Sequence, residues 1–382
     1  MGLGEGFGLL ISLLLLGVIA GSIYLLFGPG LLVAIVLLGI LIFVHELGHF
    51  LAARMLGVGV ERFSIGFGPK LWSVKRGDTE YVLALVPLGG YVKLLGEDPE
   101  EAVGEVDRER SFSHKPLWVR TTVVAAGPFF NLLFAVVVMT GVYLWGVPIL
   151  EPVVGQVVAG SPAERAGLKA GDFIVSIEGK KIESWGDLAA VVQKNPGKPL
   201  KVVVKREGEQ VTLTVVPKPQ EARTIFGEKR IVGKVGIVAA GTYRIERANP
   251  FMALVRGVEY TVNMVYLTLV GIVKILQRVV PAKSVGGPIL IVQMASKQVK
   301  SGLINLLTFM AFISINLGII NLFPIPILDG GHLLFFTIEG VRGKPVSTRT
   351  REVAQQVGLA IIIAIMVLAF YNDIGRLIGR GK

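Results

Sequence analysis

The chain has 382 residues and a formal net charge of +11, with a mean hydropathy of +0.65. This hydropathy excludes an ordinary water-soluble protein and indicates a membrane protein, with the lipid bilayer as an expected partner. The lack of cysteine excludes disulfides, thiolate zinc ligands and cysteine nucleophiles. The positive charge fits cytoplasmic loops beside anionic headgroups. Because the sequence contains no nucleic-acid-binding motif, we expect no nucleic acid partner.

The first predicted element is an uncharged apolar run over residues 8–27, which is long enough to cross a membrane. A signal peptide is the alternative, although no basic segment precedes the run. Gly28-Pro29-Gly30 interrupts the run, and a second span is predicted over residues 31–51.

The second span carries His45-Glu46-Leu47-Gly48-His49 near its end. On a helix, His45 and His49 share one face and can bind one Zn²⁺. Glu46 would then act as general base on a zinc-bound water, as in the H-E-x-x-H metalloproteases. The alternative is two polar histidines at a helix end, but ionisable groups inside a span are costly and usually functional. A third ligand must come from elsewhere in the chain.

Residues 52–117 are rich in lysine and arginine, which predicts a cytoplasmic loop. Within it, short strands are predicted at 70–74, 80–86 and 91–94, separated by turns rich in glycine and proline. This sheet is either a surface meander or a re-entrant element that dips toward the bilayer. In the second case, protein must shield its backbone from lipid.

The next span, over residues 117–145, contains Gly127-Pro128 and Asn131. Asn131 is either a site residue or a polar contact between helices, and the residues alone favour the contact. Residues 152–218 then alternate short strands and helices. The stretch 159–172 resembles a bacterial, circularly permuted PDZ domain, which binds an extended peptide as an added strand. A structural spacer is the alternative.

A polar linker over 219–250 leads to residues 251–280, which either span the membrane or lie in the interface as an amphipathic helix. A clear span over 301–323 ends in a sequence with two prolines, which cannot continue a regular helix. Asp329 follows, as either the third zinc ligand or the N-cap of the next helix. A final span is predicted over 357–371.

Shared membrane sidedness constrains this arrangement. The span 117–145 would carry the PDZ-like segment to the outer side, and the span 301–323 would return Asp329 to the cytoplasmic side, where the histidines lie. A further crossing by residues 251–280 would separate Asp329 from the histidines. The zinc hypothesis therefore predicts that 251–280 is interfacial.

Together these motifs resemble the site-2 protease family of intramembrane zinc metalloproteases, and most closely its bacterial branch that includes the regulator of sigma-E protease. The resemblance implies zinc ligands His45, His49 and Asp329, with Glu46 as the catalytic base. It also implies a set of substrate-binding residues, comprising Asn316, Asn321, Pro324, Pro326, Gly66, Phe67 and Gly68. The substrates would be single-span membrane proteins such as anti-sigma factors, and remnant signal peptides. We expect His114 to have no role in the site. His332 either has no role or lies next to the ligands without binding the metal.

We therefore expect an α-helical polytopic protein of the bacterial inner membrane, with a re-entrant β-element and one inserted α+β PDZ domain on the outer side that binds peptide tails or limits access. The expected divisions are an extra membrane segment, the first part of the protease core, the PDZ domain, a linker with an interfacial helix, and the second part of the core (residues 1–30, 31–150, 151–220, 221–300 and 301–382). A non-catalytic PDZ adaptor with a vestigial metal site is the alternative function, and a transporter is a weaker one.

Overall fold

The computed structural model describes residues 28–97, 104–224 and 226–379, so the predicted span at 8–27 lies outside the described residues. The chain divides into two compact units. The first comprises Met1–Gly141, Leu254–Leu269 and Ala282–Lys382, and the second comprises Val142–Ala253 and Val270–Pro281.

The α-helices and β-strands are numbered here in chain order. The helices are α1 Pro29–Met55, α2 Leu117–Trp145, α3 Pro162–Arg165, α4 Trp185–Lys194, α5 Pro250–Leu276, α6 Pro288–Ser301, α7 Leu303–Asn321, α8 Asp329–Arg342 and α9 Thr348–Gly379. The strands are β1 Val60–Arg76, β2 Thr79–Leu94, β3 Val147–Leu150, β4 Val154–Val157, β5 Phe173–Ile177, β6 Lys180–Lys181, β7 Leu200–Arg206, β8 Glu209–Val215, β9 Lys218–Arg223, β10 Lys229–Lys234, β11 Ile237–Ala239 and β12 Tyr243–Glu246.

Helices α1, α2, α5, α7 and α9 are each long and apolar enough to cross a membrane. This confirms a polytopic helical membrane protein. Helix α5 has 27 residues, so its length does not require an interfacial position, and that position stays a prediction. Helix α9 extends beyond the predicted span 357–371 at both ends because polar residues continue the helix there.

The two prolines end α7 as predicted. Residues 322–328 are not helical, and α8 starts at Asp329. The N-cap of α8 is Leu328, and no side chain makes a capping hydrogen bond there. Asp329 is therefore not the N-cap of this helix, and its carboxylate is available for another role.

Helix α6, which was not predicted from the sequence, packs against the first half of α1. Its Ala295 is fully buried in a cluster with Ala34 and Leu37. At its start, the Asp373 carboxylate of α9 accepts hydrogen bonds from the backbone N–H groups of Gly287 and Leu290, both at 3.0 Å. These bonds satisfy donors that an isolated helix would leave open.

Strands β1 and β2 form a curled antiparallel pair rather than three short strands. Residues 62–65 lie beside residues 90–93 on one side and beside residues 80–83 on the other. Residues 70–76 pair with 79–84. The three predicted segments all belong to this sheet, and the sequence-based interpretation missed the segment 60–65 at its centre.

The second unit contains the PDZ-like segment. Its main sheet has the strand order β6-β5-β7-β8, and Ile174, Ile177 and Val204 are fully buried in its core. The short strands and helices expected over residues 152–218 are present. Three two-stranded ribbons complete the unit, namely β4 with β11, β9 with β10, and β3 with β12.

Candidate metal centre

The structure brings His45 and His49 of α1 against Asp329 at the start of α8. The two histidine Nε2 atoms are 3.2 Å apart. Asp329 Oδ2 lies 3.0 Å from Nε2 of His45 and 3.5 Å from Nε2 of His49. These are the three residues that the sequence predicted as a ligand set, although 280 residues separate Asp329 from His49 (329 − 49 = 280).

The separations fit a tetrahedral zinc ion. Ligand atoms at roughly 2.0–2.1 Å from zinc would be about 3.3 Å apart, which falls within the observed range. Asp329 Oδ2 is buried and accepts no hydrogen bond from the described residues. A carboxylate oxygen and two imidazole nitrogens packed this closely require a cation or a proton between them, and a divalent metal satisfies all three at once.

The environment of His49 fixes which ring nitrogen is free to bind a metal. Its Nδ1 lies 2.9 Å from the backbone carbonyl oxygen of Val123 in α2. A carbonyl only accepts, so Nδ1 carries the proton and Nε2 keeps its lone pair. This is the outer contact that commonly orients a metal-bound histidine.

Asn131 has the corresponding place beside His45. Its side-chain amide lies 3.1 Å from His45 Nδ1, and its Oδ1 is buried without a partner among the described residues. Exchanging the amide oxygen and nitrogen lets Oδ1 accept a hydrogen bond from a protonated Nδ1, which leaves the lone pair on Nε2. The Asn131 backbone oxygen also accepts a 2.8 Å hydrogen bond from Ser314 of α7, a helix contact that does not involve the Asn131 side chain.

Gly127 of α2 makes room for the ligand cluster. A Cβ at this position would lie 2.3 Å from His49 Nε2 and 2.9 Å from His45 Cε1. Any side chain here would displace an imidazole. In the sequence, this position is marked by a Gly-Pro pair inside a membrane-length apolar run. The sequence does not show why glycine is needed there, because the reason is the close approach of the two imidazoles to the Gly127 backbone.

Glu46 lies beside the sheet as well as beside the ligands. The backbone N–H of Val92 in β2 donates to its carboxylate. A cavity of about 570 Å³ opens onto Glu46, His45, His49 and Asp329. We call it the polar cavity because most of its lining residues carry polar side chains, including Tyr91, Glu97, Arg120, His332 and Arg351.

A second cavity of about 220 Å³ also reaches His45, Glu46 and Asp329, and its lining combines polar residues with apolar ones such as Ile42 and Leu317. The His-His-Asp cluster is thus reached from two cavities. A peptide bond placed at the cluster would have access to space in both.

The structure brings only some of the predicted substrate residues close to the ligands. Asn321 Nδ2 is 3.5 Å from both ring nitrogens of His45 and lines the second cavity. Pro324 and Pro326 lie in the non-helical segment. Asn316 lines neither cavity and instead donates to the Phe312 carbonyl at 2.8 Å.

Phe67 lies between two glycines with positive φ, at 93° for Gly66 and 87° for Gly68, in the curled part of β1. Its ring stacks on Tyr91 with 6.1 Å between centroids, and Tyr91 lines the polar cavity. The predicted glycine–phenylalanine–glycine element therefore contacts the wall of the site rather than the ligands.

The two remaining histidines differ. His332 lies one helical turn after Asp329 and lines the polar cavity, and burial lowers the pKa of its imidazole. His114 contacts Ser111 and Ser113 and lines neither cavity. His332 is thus close to the site and His114 is not.

A His-His-Asp cluster with an adjacent glutamate, at the membrane-length helix α1, is the arrangement expected of a membrane metallopeptidase. Residues 33–365 match the model of Peptidase family M50. A Rhizobium meliloti protein named as a zinc metalloprotease is 37% identical over 90% of this chain and 96% of its own length. The regulator of sigma-E protease RseP of Escherichia coli is 34% identical over 90% of this chain and 98% of its own length.

Among solved structures, the PDZ domain of an SdrC-like protein from Listeria monocytogenes is 21% identical, covers 24% of this chain and 90% of that domain, and has a TM-score of 0.19.

The chain therefore belongs to Peptidase family M50. It is a zinc metalloprotease of the site-2 type, which confirms the predicted family, enzyme class and cofactor. The non-catalytic adaptor is not favoured by these relatives.

Proposed function

We propose that this protease cleaves the transmembrane segments of single-span membrane proteins, with His45, His49 and Asp329 holding Zn²⁺ and Glu46 as the catalytic base. The observation that supports it most directly is the set of three ligand atoms 3.0–3.5 Å apart beside Glu46, on a membrane-length helix.

When bound, Zn²⁺ would act as a Lewis acid and lower the pKa of the water it holds to about 7. Glu46 accepts a proton as the water oxygen attacks the peptide carbonyl carbon, and it returns the proton to the leaving nitrogen as the C–N bond breaks. Asn321 donates from its side-chain amide to the oxygen of the attacked carbonyl, where negative charge develops. Its position beside His45 supports this role.

The sheet supplies a means of exposing the scissile bond. A helical substrate shields its peptide bonds with its own hydrogen bonds, so it must become extended before hydrolysis. Residues 90–94 pair with 60–65 on one side, and no other described strand pairs with them on the other. An extended substrate added at this edge would gain backbone hydrogen bonds next to Glu46. Phe67, Gly66, Gly68 and the proline segment would hold that strand.

The proposed substrates and cellular location are inferred from the similarity to known proteases. Since one relative is named as the regulator of sigma-E protease, anti-sigma factors are proposed substrates, together with remnant signal peptides. The enzyme would lie in the bacterial inner membrane with its sheet re-entrant. The PDZ-like segment, on the outer side, would limit access or bind peptide tails.

The test is Glu46→Gln in the full chain, reconstituted in liposomes with a tagged single-span substrate. We expect the cleavage rate to fall by at least about 10²-fold, because the proton transfer is lost, while bound zinc per chain stays unchanged. Glu97→Gln is the matched control, because Glu97 is a carboxylate of the same cavity without the proposed role. Cleavage by Glu46→Gln at the wild-type rate would refute the assignment.

A further inference from the structure

A two-stranded ribbon directly follows the end of α2. It consists of β3 and β12, with Tyr243 paired to Leu150 and Ile245 paired to Pro148. Because side chains alternate along a strand, these four residues share one face. Tyr243 and Ile245 are 64% and 63% exposed, so this apolar face lacks protein cover within the described chain.

The position of the ribbon is fixed by its connections. Only Gly146 separates the span α2 from β3, and α5 begins at Pro250, shortly after β12 ends. The backbone N–H of Ala248 donates to the Tyr143 carbonyl at 3.0 Å, and Arg247 Nε donates to the Trp145 carbonyl at 3.1 Å. The chain after β12 is therefore level with the last turn of α2.

Gly146 allows this tight arrangement. Its φ is 115°, and a Cβ there would lie 2.6 Å from Ile245 Cγ2 and 2.9 Å from Arg247 Cγ. The ribbon thus turns back directly onto the end of the span, and no flexible linker lies between them.

Two further apolar side chains adjoin the ribbon at this level. Trp145 is 72% exposed at the end of α2, and Phe251 is 73% exposed in the first turn of α5. Tryptophan and tyrosine at the end of a span are typical of the boundary between headgroups and acyl chains. An exposed apolar patch of this kind marks either a membrane or a protein contact, and its continuity with the span favours the membrane.

We infer that the face formed by Pro148, Leu150, Tyr243 and Ile245 is a lipid-contacting surface that lies in the headgroup–acyl boundary of the bilayer. The ribbon would hold the PDZ-containing unit on the membrane surface, in addition to the covalent connection through the spans. This surface is separate from the metal centre and does not depend on the proposed substrates.

The natural chain has no cysteine, so single cysteines can report on this face. Three variants of the full chain each carry one cysteine on this face, namely Tyr243→Cys, Ile245→Cys and Leu150→Cys. Each variant is labelled with bimane and reconstituted as one chain per nanodisc of phosphatidylcholine and phosphatidylglycerol. Val216→Cys is the matched control, because Val216 is an exposed apolar residue of the same unit that lies outside the ribbon. Zinc content and protease resistance confirm that each labelled chain is folded.

Lipids that carry a nitroxide near the headgroup end of the acyl chain are expected to quench the fluorescence of the labels at positions 243, 245 and 150. The label at position 216 should lose little fluorescence. Aqueous iodide should show the opposite order. Equal lipid quenching at the ribbon and at position 216 would overturn the inference. Shielding of the ribbon labels from both quenchers would also overturn it, because a protein surface would then cover the face.

Discussion

Two aspartates with buried carboxylate oxygens, one in each unit, show opposite solutions to the same electrostatic problem. Asp172 in the PDZ-like segment is fully buried. It accepts hydrogen bonds from Arg206 Nε at 2.7 Å, from an Arg206 terminal nitrogen at 2.8 Å and from the Lys169 backbone N–H at 2.8 Å. Asp329 has an equally buried Oδ2 that accepts no hydrogen bond from the described residues.

The difference separates a structural carboxylate from a functional one. The guanidinium of Arg206 neutralises Asp172 within the protein, so that site is complete without a ligand. Around Asp329 the nearest polar groups are imidazole nitrogens, and the contact to Val123 places the proton of a neutral His49 on Nδ1. The protein thus completes the first site alone, whereas the second site, as proposed, is completed by a metal.

The largest expected effect is that of Asp329→Ala. It removes the only oxygen from the proposed ligand set, so bound zinc and cleavage should both be lost. Zinc per chain by elemental analysis and cleavage of a single-span substrate are the measurements. Asp172→Ala is the comparison and should retain zinc. Full zinc retention by Asp329→Ala would contradict the ligand assignment.

Asp172→Ala should instead act on stability. Leaving one partner of a buried ion pair unmatched costs about 3–5 kcal/mol, and we expect the lower end because the Arg206 side chain is 22% exposed. Hydrogen exchange of β5 and β7 in the full chain should accelerate, while exchange in α1 should not change.

Glu183→Ala is the matched control for this stability effect. It removes an exposed pair with Lys181, which solvent screens, so its effect on stability should be much smaller. A stability loss as large as that of Asp172→Ala would show that burial is not the deciding factor.

The close approach of the three proposed ligand residues was predictable from the sequence because each lies in a local pattern with a physical meaning. Helical periodicity places His45 and His49 on one face, and two prolines mark the break before Asp329. Val123 was not predictable, because it contributes a backbone carbonyl that every residue has. Asn131 was ambiguous, because one side chain type serves both helix packing and ligand orientation.

Long-range pairing was equally hidden in the fold. Residues 60–65 join two other segments of the sheet, and no local alternation reveals a strand with two distant neighbours. Helix α6 was missed because its 14 residues mix apolar and polar side chains. Its position depends on contacts with α1 and with Asp373 rather than on its own composition.

A smaller effect is expected for Asn131→Ala, which removes the polar neighbour of His45 but leaves all three ligands. Loss of such an outer contact typically weakens metal binding about 10–100-fold. The zinc dissociation constant, measured by competition with a chelator, should rise within that range.

Ser314→Ala is the control that separates ligand orientation from helix packing. It removes the hydrogen bond to the Asn131 backbone oxygen and leaves the side chain beside His45. Zinc affinity should therefore stay near the wild-type value. An equal loss in both variants would show that disturbing this helix contact is enough to lower zinc affinity, and would contradict a specific orienting role of the Asn131 side chain.

The smallest expected effect is on the pH dependence of stability, and it concerns Asp172. Burial alone would raise the pKa of Asp172, but the hydrogen bonds from Arg206 and the Lys169 backbone hold that pKa below its ordinary value. The carboxylate therefore contributes stability that is fully present above the unfolded pKa of about 3.9 and is lost as pH falls through the lower folded value. Hydrogen exchange of β5 and β7, corrected for intrinsic rates, should give a constant stability from neutral pH down to about 5 and a decline only below about 4.

Asp172→Asn should reduce this acid-dependent decline, because it removes the titrating group. The same decline in the variant would mean that another group titrates, and a gain of stability on acidification would contradict the lowered pKa.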